Sequence, residues 1–313
     1  TCYYVKVLNK HFVKSIDVLS DILFNPLFRE KDFIRERNVV LKEIDMIYDD
    51  PRYYQWILFQ KTLFKKHPCK YHSYGDKNKL MKLSIEDVKK FYEKHYSPNN
   101  MVISIVGDVE KWNKEIKKKF LVENRSKVLR YRTIKEPDLK KNRTIKEKRT
   151  TRNSFMVLGF KTIPRKNKDS YVLDVIQGIM GRGQSGKMFN ELRGKRGLAY
   201  EVGTENVSGL DYGYFSIFTS IDKKNVETVK KVILEQMKLL KNVSEKEIYE
   251  SKTYIEGSFY LELEESQKQA DQILFWEHQG DANLINKYIK EIKKVKSSDI
   301  RRVVKKYFNK YSL

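Results

Sequence analysis

Residues 33–48, FIRERNVVLKEIDMIY, decide how the rest of the chain is read. Phe33, Val40, Ile44 and Ile47 recur at helical spacing and predict a helix with one buried face. Glu36 and Glu43 are seven residues apart on it. Seven steps of about 100° return the second to within about 20° of the first. Both fall between Val39 and Ile47 on the helical wheel, at the edge of the apolar face. A carboxylate turned inward is costly unless a cation or a metal answers it. Spacing alone leaves two answers open: a salt bridge, for which Arg37 lies on the same face, or a metal site.

Upstream of this helix, CYYVKVL (2–8) alternates like a strand and leads into an amphipathic helix over 10–24, ended by Asn25-Pro26. Downstream, the helix stops at Asp49-Asp50-Pro51, and Pro51 suits the first turn of another helix running to about residue 66. HPCKYHSYGDKN is a loop; Ser84 with Asp87 forms a capping box that opens IEDVKKFYEKHY. Pro98-Asn99-Asn100 turns the chain into MVISIVGDV, a buried-type strand, and a basic helix follows over 110–120. Residues 121–143 are charged and show little apolar period, which predicts a linker. Beyond it FMVLGF reads as a strand and SYVLDVIQGIM as a helix. A helix over 185–195, the strands LAYEVG and YGYFSIFTSI, and four or five closing helices complete the chain.

The second half echoes the first. SIEDVKKFYEKHY (84–96) parallels SSDIRRVVKKYF (297–308), and EKDFIRERN (30–38) parallels EKEIYESKT (245–253). Two copies of one unit is the economical architecture. The fold class expected is α+β: two homologous domains, each a mainly antiparallel sheet with helices packed on one side. Their expected bounds are 1–120 and 144–313, joined by the linker 121–143. Glu36 corresponds to Ser251 and Glu43 to Ser258, so the acid pair belongs to one copy only. That asymmetry suits a site better than a scaffold.

The 313 residues, 40% of them hydrophobic, are enough for two domains with sizeable cores. No apolar run approaches the roughly 20 residues that span a bilayer. Lys and Arg number 64 against 41 acids, a net charge of +23. Lys, Ile, Asn, Tyr and Phe are abundant together, as an AT-rich genome would produce, and the lysines are mixed with Glu, as in KNKEIKKKF. These features favour solvated helix faces over a nucleic-acid surface. Cys2 and Cys69 make no disulfide framework and fit a reducing compartment such as the cytoplasm.

The segments LSDILFNPLF, ERNVVLKEI, HP…YG, LSIEDVKKFYEKHYSPNNMVISIVGDV and LRGKRGLAYEV together resemble the insulinase and mitochondrial-processing-peptidase family of zinc metallopeptidases. In that family a helix carries H-x-x-E-H, whose two histidines hold zinc while its Glu acts as general base. The resemblance implies that Glu43 is the third zinc ligand and that Glu36 is a second acid supporting the site. Zinc would bring its bound water to a pKa of about 7, ready to attack a peptide carbonyl. It also implies that Arg193 and Tyr200 bind substrate main chain and stabilise an oxyanion.

The sequence departs from the family at one decisive point: it contains no H-x-x-E-H, and none of His11, His67, His72, His95 and His278 stands at the required spacing. The strand-like start at Thr1 and the retention of both glutamates point to a fragment of a zinc metalloendopeptidase, inactive and without zinc as it stands. Its expected partners are an unfolded peptide substrate and a related subunit, as homodimer or heterodimer, with self-association at an exposed strand edge. If its charge guides peptide choice, acidic or neutral peptides are favoured. The rival readings are a non-catalytic peptide-binding partner subunit of such a peptidase and a basic nucleic-acid-binding protein. Two further signals are discounted. GRGQSGKM (181–188) nearly spells a phosphate loop, but Met188 stands where a hydroxyl is needed. His67, Cys69 and His72 are three metal-binding groups in one short loop with no fourth.

Overall fold

The computed structural model describes residues 1–121 and 133–313. Most of the expected linker, residues 122–132, therefore lies outside the described residues. The helices in chain order are α1 (Phe12–Phe24), α2 (Glu30–Asp49), α3 (Pro51–Leu63), α4 (Lys77–Met81), α5 (Ile85–His95), α6 (Asn113–Phe120), α7 (Asp169–Gly181) and α8 (Lys187–Phe189). They continue with α9 (Val226–Leu239), α10 (Glu245–Glu262), α11 (Ser266–His278), α12 (Ile285–Lys294) and α13 (Ser297–Tyr307). The strands are β1 (Ser154–Lys161), β2 (Ala199–Ser208), β3 (Gly213–Ile221) and β4 (Tyr311–Ser312).

The internal repeat is visible element by element. Each of α1, α2, α3 and α5 recurs as α9, α10, α11 and α13, at offsets of 212 to 215 residues. The caps repeat as well. Asp87 accepts from the Ser84 backbone N–H at 3.0 Å, and Asp299 accepts from the Lys296 N–H at 3.1 Å. A short acidic side chain at the third helical position thus starts the same helix twice.

Two compact units result. One comprises Thr1–Asp45, the described residues of Tyr74–Arg132, and Glu262–Ala282; the other comprises Met46–Ser73, Thr133–Leu261 and Asn283–Leu313.

The second unit holds the antiparallel sheet, ordered β2-β3-β1-β4. Alternation along the strands separates two faces. Met156, Leu158, Phe160, Phe215 and Ile217 join side chains of α7, α9 and α13 in the main core. Val157, Tyr214 and Phe218 pack instead with Trp56, Phe59 and Leu63 of α3, which covers the opposite face. Gly159 is what lets α3 come close, because a Cβ there would lie 2.4 Å from the Phe59 ring and 2.8 Å from the Phe215 carbonyl.

Glu136 ties α3 to the segment that precedes β1. Its carboxylate accepts from the backbone N–H groups of Lys65, Lys66 and His67 at 2.7, 2.7 and 2.8 Å, and from Lys161 Nζ at 2.7 Å. Burial by itself would raise its pKa, but the lysine and three N–H donors outweigh it and hold the carboxyl down to about 2.

In the first unit Ile16, Ile44, Ile85 and Phe120 are buried. Rings clasp the helices there, with Phe24 against Phe120 at 6.1 Å and Phe28 against Tyr92 at 5.2 Å. The two stretches expected as strands, residues 2–8 and 101–109, are without a ladder among the described residues. The reason is visible in the second unit. There β3 and β4, which stand at the corresponding repeat positions, do not pair with each other; both pair with β1. Among the described residues no helix is long and apolar enough to cross a membrane.

Candidate functional site: an exposed acid pair and an exposed arginine–tyrosine pair

The helix predicted from residues 33–48 is α2, but its buried stripe is narrower than the apolar spacing suggested. Ile44 is 1% exposed, while Phe33, Val40 and Ile47 are only half-buried. Glu36 and Glu43 are both exposed, so the expectation that they sit against an apolar interior is corrected. Glu36 pairs with Arg35 at 3.1 Å, not with Arg37. Arg37 instead donates to the Leu83 carbonyl at 3.3 Å and lies over the Phe33 ring. Glu43 makes no ion pair or hydrogen bond among the described residues.

The second copy shows what normally covers this helix face. Ser251, at the position of Glu36, is fully buried in α10 and donates to the Val175 carbonyl of α7 at 2.8 Å. The fit is close, since a Cβ on Gly178 would lie 2.2 Å from the Ser251 Oγ. No counterpart of α7 is present in the first copy among the described residues, so the same face of α2 meets solvent.

Arg193 and Tyr200 are brought together. The chain leaves α8 through a π-helical turn over Asn190–Gly194 and stops at Gly197, whose φ of +59° belongs to the left-handed region that glycine tolerates. The Gly197 N–H then donates to the Arg193 carbonyl at 3.1 Å, and the Leu198 N–H to the Leu192 carbonyl at 2.7 Å. The register of β2 against β3 slips between Ala199 and Glu201, which leaves Tyr200 as a bulge residue. A bulge frees one backbone unit and re-aims one side chain. The freed Tyr200 carbonyl accepts from Arg193 at 3.1 Å, and the guanidinium lies 5.2 Å from the Phe189 ring centroid. Both side chains remain exposed, Tyr200 at 61%. The role of Phe189 escaped the sequence reading, although its position four residues before Arg193 on a helix was a usable signal.

The two discounted signals have structural roles. Lys187 pairs with Glu247 at 2.8 Å and Arg182 with Glu250, and GRGQSGKM follows a helix instead of a strand. His67 is buried; its Nδ1 accepts from the Cys69 N–H at 3.1 Å, which leaves Nε2 to donate to Asp211 at 2.9 Å. Burial, together with the Glu136 and Asp211 charges, pushes the Cys69 thiol up to about 12, so it is no ready thiolate.

Comparison with known proteins shows the family. A model described as the peptidase M16 inactive domain matches residues 82–255, and one for insulinase, peptidase family M16, matches residues 1–77. The chain belongs to the M16 peptidase family. Among M16 relatives, the uncharacterized zinc protease YmxG of Bacillus subtilis is 28% identical over 295 residues, covering 91% of this chain and 71% of that protein. The zinc protease PqqE of Helicobacter pylori is 26% identical over 318 residues, covering 98% and 71%. The fold matches a protease from Helicobacter pylori with a TM-score of 0.90 at 24% identity, covering 97% of this chain and 76% of that one. A peptidase M16 inactive domain from Pseudomonas fluorescens matches with a TM-score of 0.85 at 19% identity, covering 97% and 74%.

The relatives are named zinc proteases, and whether zinc fits this M16 chain depends on its own donor residues. Among those described, no group of three or more His, Cys, Asp or Glu side chains could hold a metal ion. Glu36 and Glu43 offer carboxylates to solvent without a third donor beside them, and these residues alone do not fit the metal.

Proposed function

We propose that this chain supplies the peptide-holding surface of an M16 zinc endopeptidase and does not by itself complete the metal centre. The observation that supports this most strongly is the Arg193–Tyr200 pair. A guanidinium and a phenol are both exposed, and backbone contacts at the start of β2 hold them in place. β2 is also an edge strand. An extended unfolded peptide could add to its free backbone groups while Arg193 and Tyr200 hydrogen-bond the guest's carbonyls, a mode that reads main chain more than side chains. In this reading Glu43 is one ligand of a metal centre whose histidines lie outside this sequence, and Glu36 is its supporting acid. The partners are an unfolded peptide and a related subunit, in a homodimer or heterodimer.

The second reading, a non-catalytic subunit, draws on the absence of H-x-x-E-H from the sequence and on the inactive-domain description matched over residues 82–255. Both readings require peptide binding. The test is a fluorescence-anisotropy titration of a labelled unfolded peptide against the wild-type chain, Arg193→Ala and Tyr200→Phe. Losing a charge-assisted hydrogen bond should weaken binding about tenfold in Arg193→Ala, and losing the phenol about fivefold in Tyr200→Phe. Equal affinities for all three proteins would remove the pair from the binding surface.

A further inference from the structure

Arg193 is presented by a stretch that hardly touches the interior. Leu192 and Ala199 are buried, but of the six residues between them Arg193–Gly197 are exposed and Leu198 is only half-buried. Gly194 and Gly197 bring no side chain to pack. Glycine loses more conformational freedom on ordering than any other residue, so two buried anchors do not by themselves hold such a turn in one conformation. Tyr200 needs less help. Its neighbours Ala199 and Glu201 pair with Ile221 and Ser220 of β3, so the sheet fixes its backbone.

What spans the turn is Glu191. One carboxylate oxygen accepts from Lys195 Nζ at 2.6 Å and the other from the Arg196 guanidinium. The Glu191 carbonyl accepts from Arg196 Nη1 at 3.1 Å. That carbonyl belongs to the π-helical turn, in which the Lys195 N–H reaches back to the Asn190 carbonyl at 2.8 Å. A basic side chain thus serves a carbonyl at a helix end. The Glu191 side chain is 12% exposed, against 68% for Lys195 and 37% for Arg196, so the cations reach the acid from the solvent side. The Lys195 hydrogen bond is the main reason its pKa lies below the ordinary glutamate range, with burial opposing it. Exposed ion pairs contribute little, but here both oxygens of a largely buried carboxylate are used and its backbone is tied as well. All three bonds go to residues between Arg193 and Tyr200, not to the pair itself.

We infer that Glu191 is the positioning residue for Arg193. By drawing Lys195 and Arg196 back onto the turn, it fixes the path along which the Arg193 guanidinium meets the Tyr200 carbonyl and faces a guest peptide. The inference rests on the reading that Arg193 and Tyr200 hold peptide, and it assigns Glu191 no contact with the guest.

The test is a double-mutant cycle in peptide affinity on the 313-residue chain, read by anisotropy of the same labelled unfolded peptide. The four proteins are wild type, Glu191→Gln, Arg193→Ala and the double variant. Glu191→Gln keeps the shape and removes the charge, and it is expected to weaken binding about fivefold. In the Arg193→Ala background the same change should matter less than about twofold, because no guanidinium is left to aim. With no peptide present, exchange of the Gly197 and Leu198 amide hydrogens, whose bonds close the turn, should quicken about tenfold in Glu191→Gln while the far-UV circular dichroism stays unchanged. Should Glu191→Gln fail to fold, Lys195→Gln with Arg196→Gln removes the same charge-assisted bonds and serves the same cycle with the same expectations. Wild-type affinity in Arg193→Ala would overturn the peptide-holding reading, and the positioning role with it. Weak binding by Arg193→Ala beside wild-type binding by Glu191→Gln would overturn the positioning role alone. So would an equal loss in both backgrounds, or unaltered exchange at Gly197 and Leu198.

Discussion

Glu136 is where one side chain holds most structure together. Its carboxylate receives four hydrogen bonds, from Lys161 and from the backbone of residues 65–67. Its pKa lies well below the ordinary glutamate value of 4.5, at about 2. A carboxyl depressed by folding contributes stability that is fully present above its unfolded pKa and is lost as pH falls through the folded one. The contribution should therefore be intact at neutral pH and fade between about pH 4.5 and about pH 2. Glu136→Gln is expected to lower the free energy of unfolding at neutral pH by about 2 to 3 kcal/mol. The gap between variant and wild type should close as the pH approaches 2 in urea titrations. A gap that stays constant with pH would mean the ionised carboxylate is not what matters.

At the scale of elements, the comparison of α2 with α10 explains both what could be read from sequence and what could not. Helix positions followed from apolar spacing, from Pro51 at a first turn and from the Ser84–Asp87 box, because these signals act within a few residues. Which face of α2 is covered did not follow, because burial depends on the helix placed against it. α10 has α7 over Ser251, and among the described residues α2 has no such cover over Glu36. For the same reason residues 2–8 and 101–109 read as strands from their own pattern yet form no ladder among the described residues, since pairing needs a third segment. The bulge at Tyr200 and the π-helical turn before it were equally hidden, being local departures with no compositional mark. A direct test exchanges the two residues. Ser251→Glu places a carboxylate against α7 and should cost more than about 3 kcal/mol, or prevent folding. Glu36→Ser should stay within about 0.5 kcal/mol of wild type. Thermal or urea unfolding measures both, and a large loss in Glu36→Ser would show that α2 is covered on that face.

Over the whole molecule, the repeated order of helices and the α+β class were legible because two halves of one sequence carry the same pattern at a nearly constant offset. The grouping into units was less so: α3 belongs with the second unit and α11 with the first, which long-range packing decides. The charge of +23 is spread over helix faces and ion pairs such as Lys195–Glu191 and Lys294–Glu291. If it had formed a nucleic-acid surface, binding to DNA or RNA would rise steeply as salt is lowered. A mobility-shift assay at low salt is expected to show none, and a steep salt-dependent shift would restore that rival.

The metal content of the purified 313-residue chain bears most directly on the claim that it holds peptide without completing a zinc centre. After equilibration with zinc and dialysis, plasma emission spectroscopy is expected to find far less than one zinc per chain, both in the wild type and in Glu43→Gln. One tightly held zinc per wild-type chain, lost in Glu43→Gln, would contradict it.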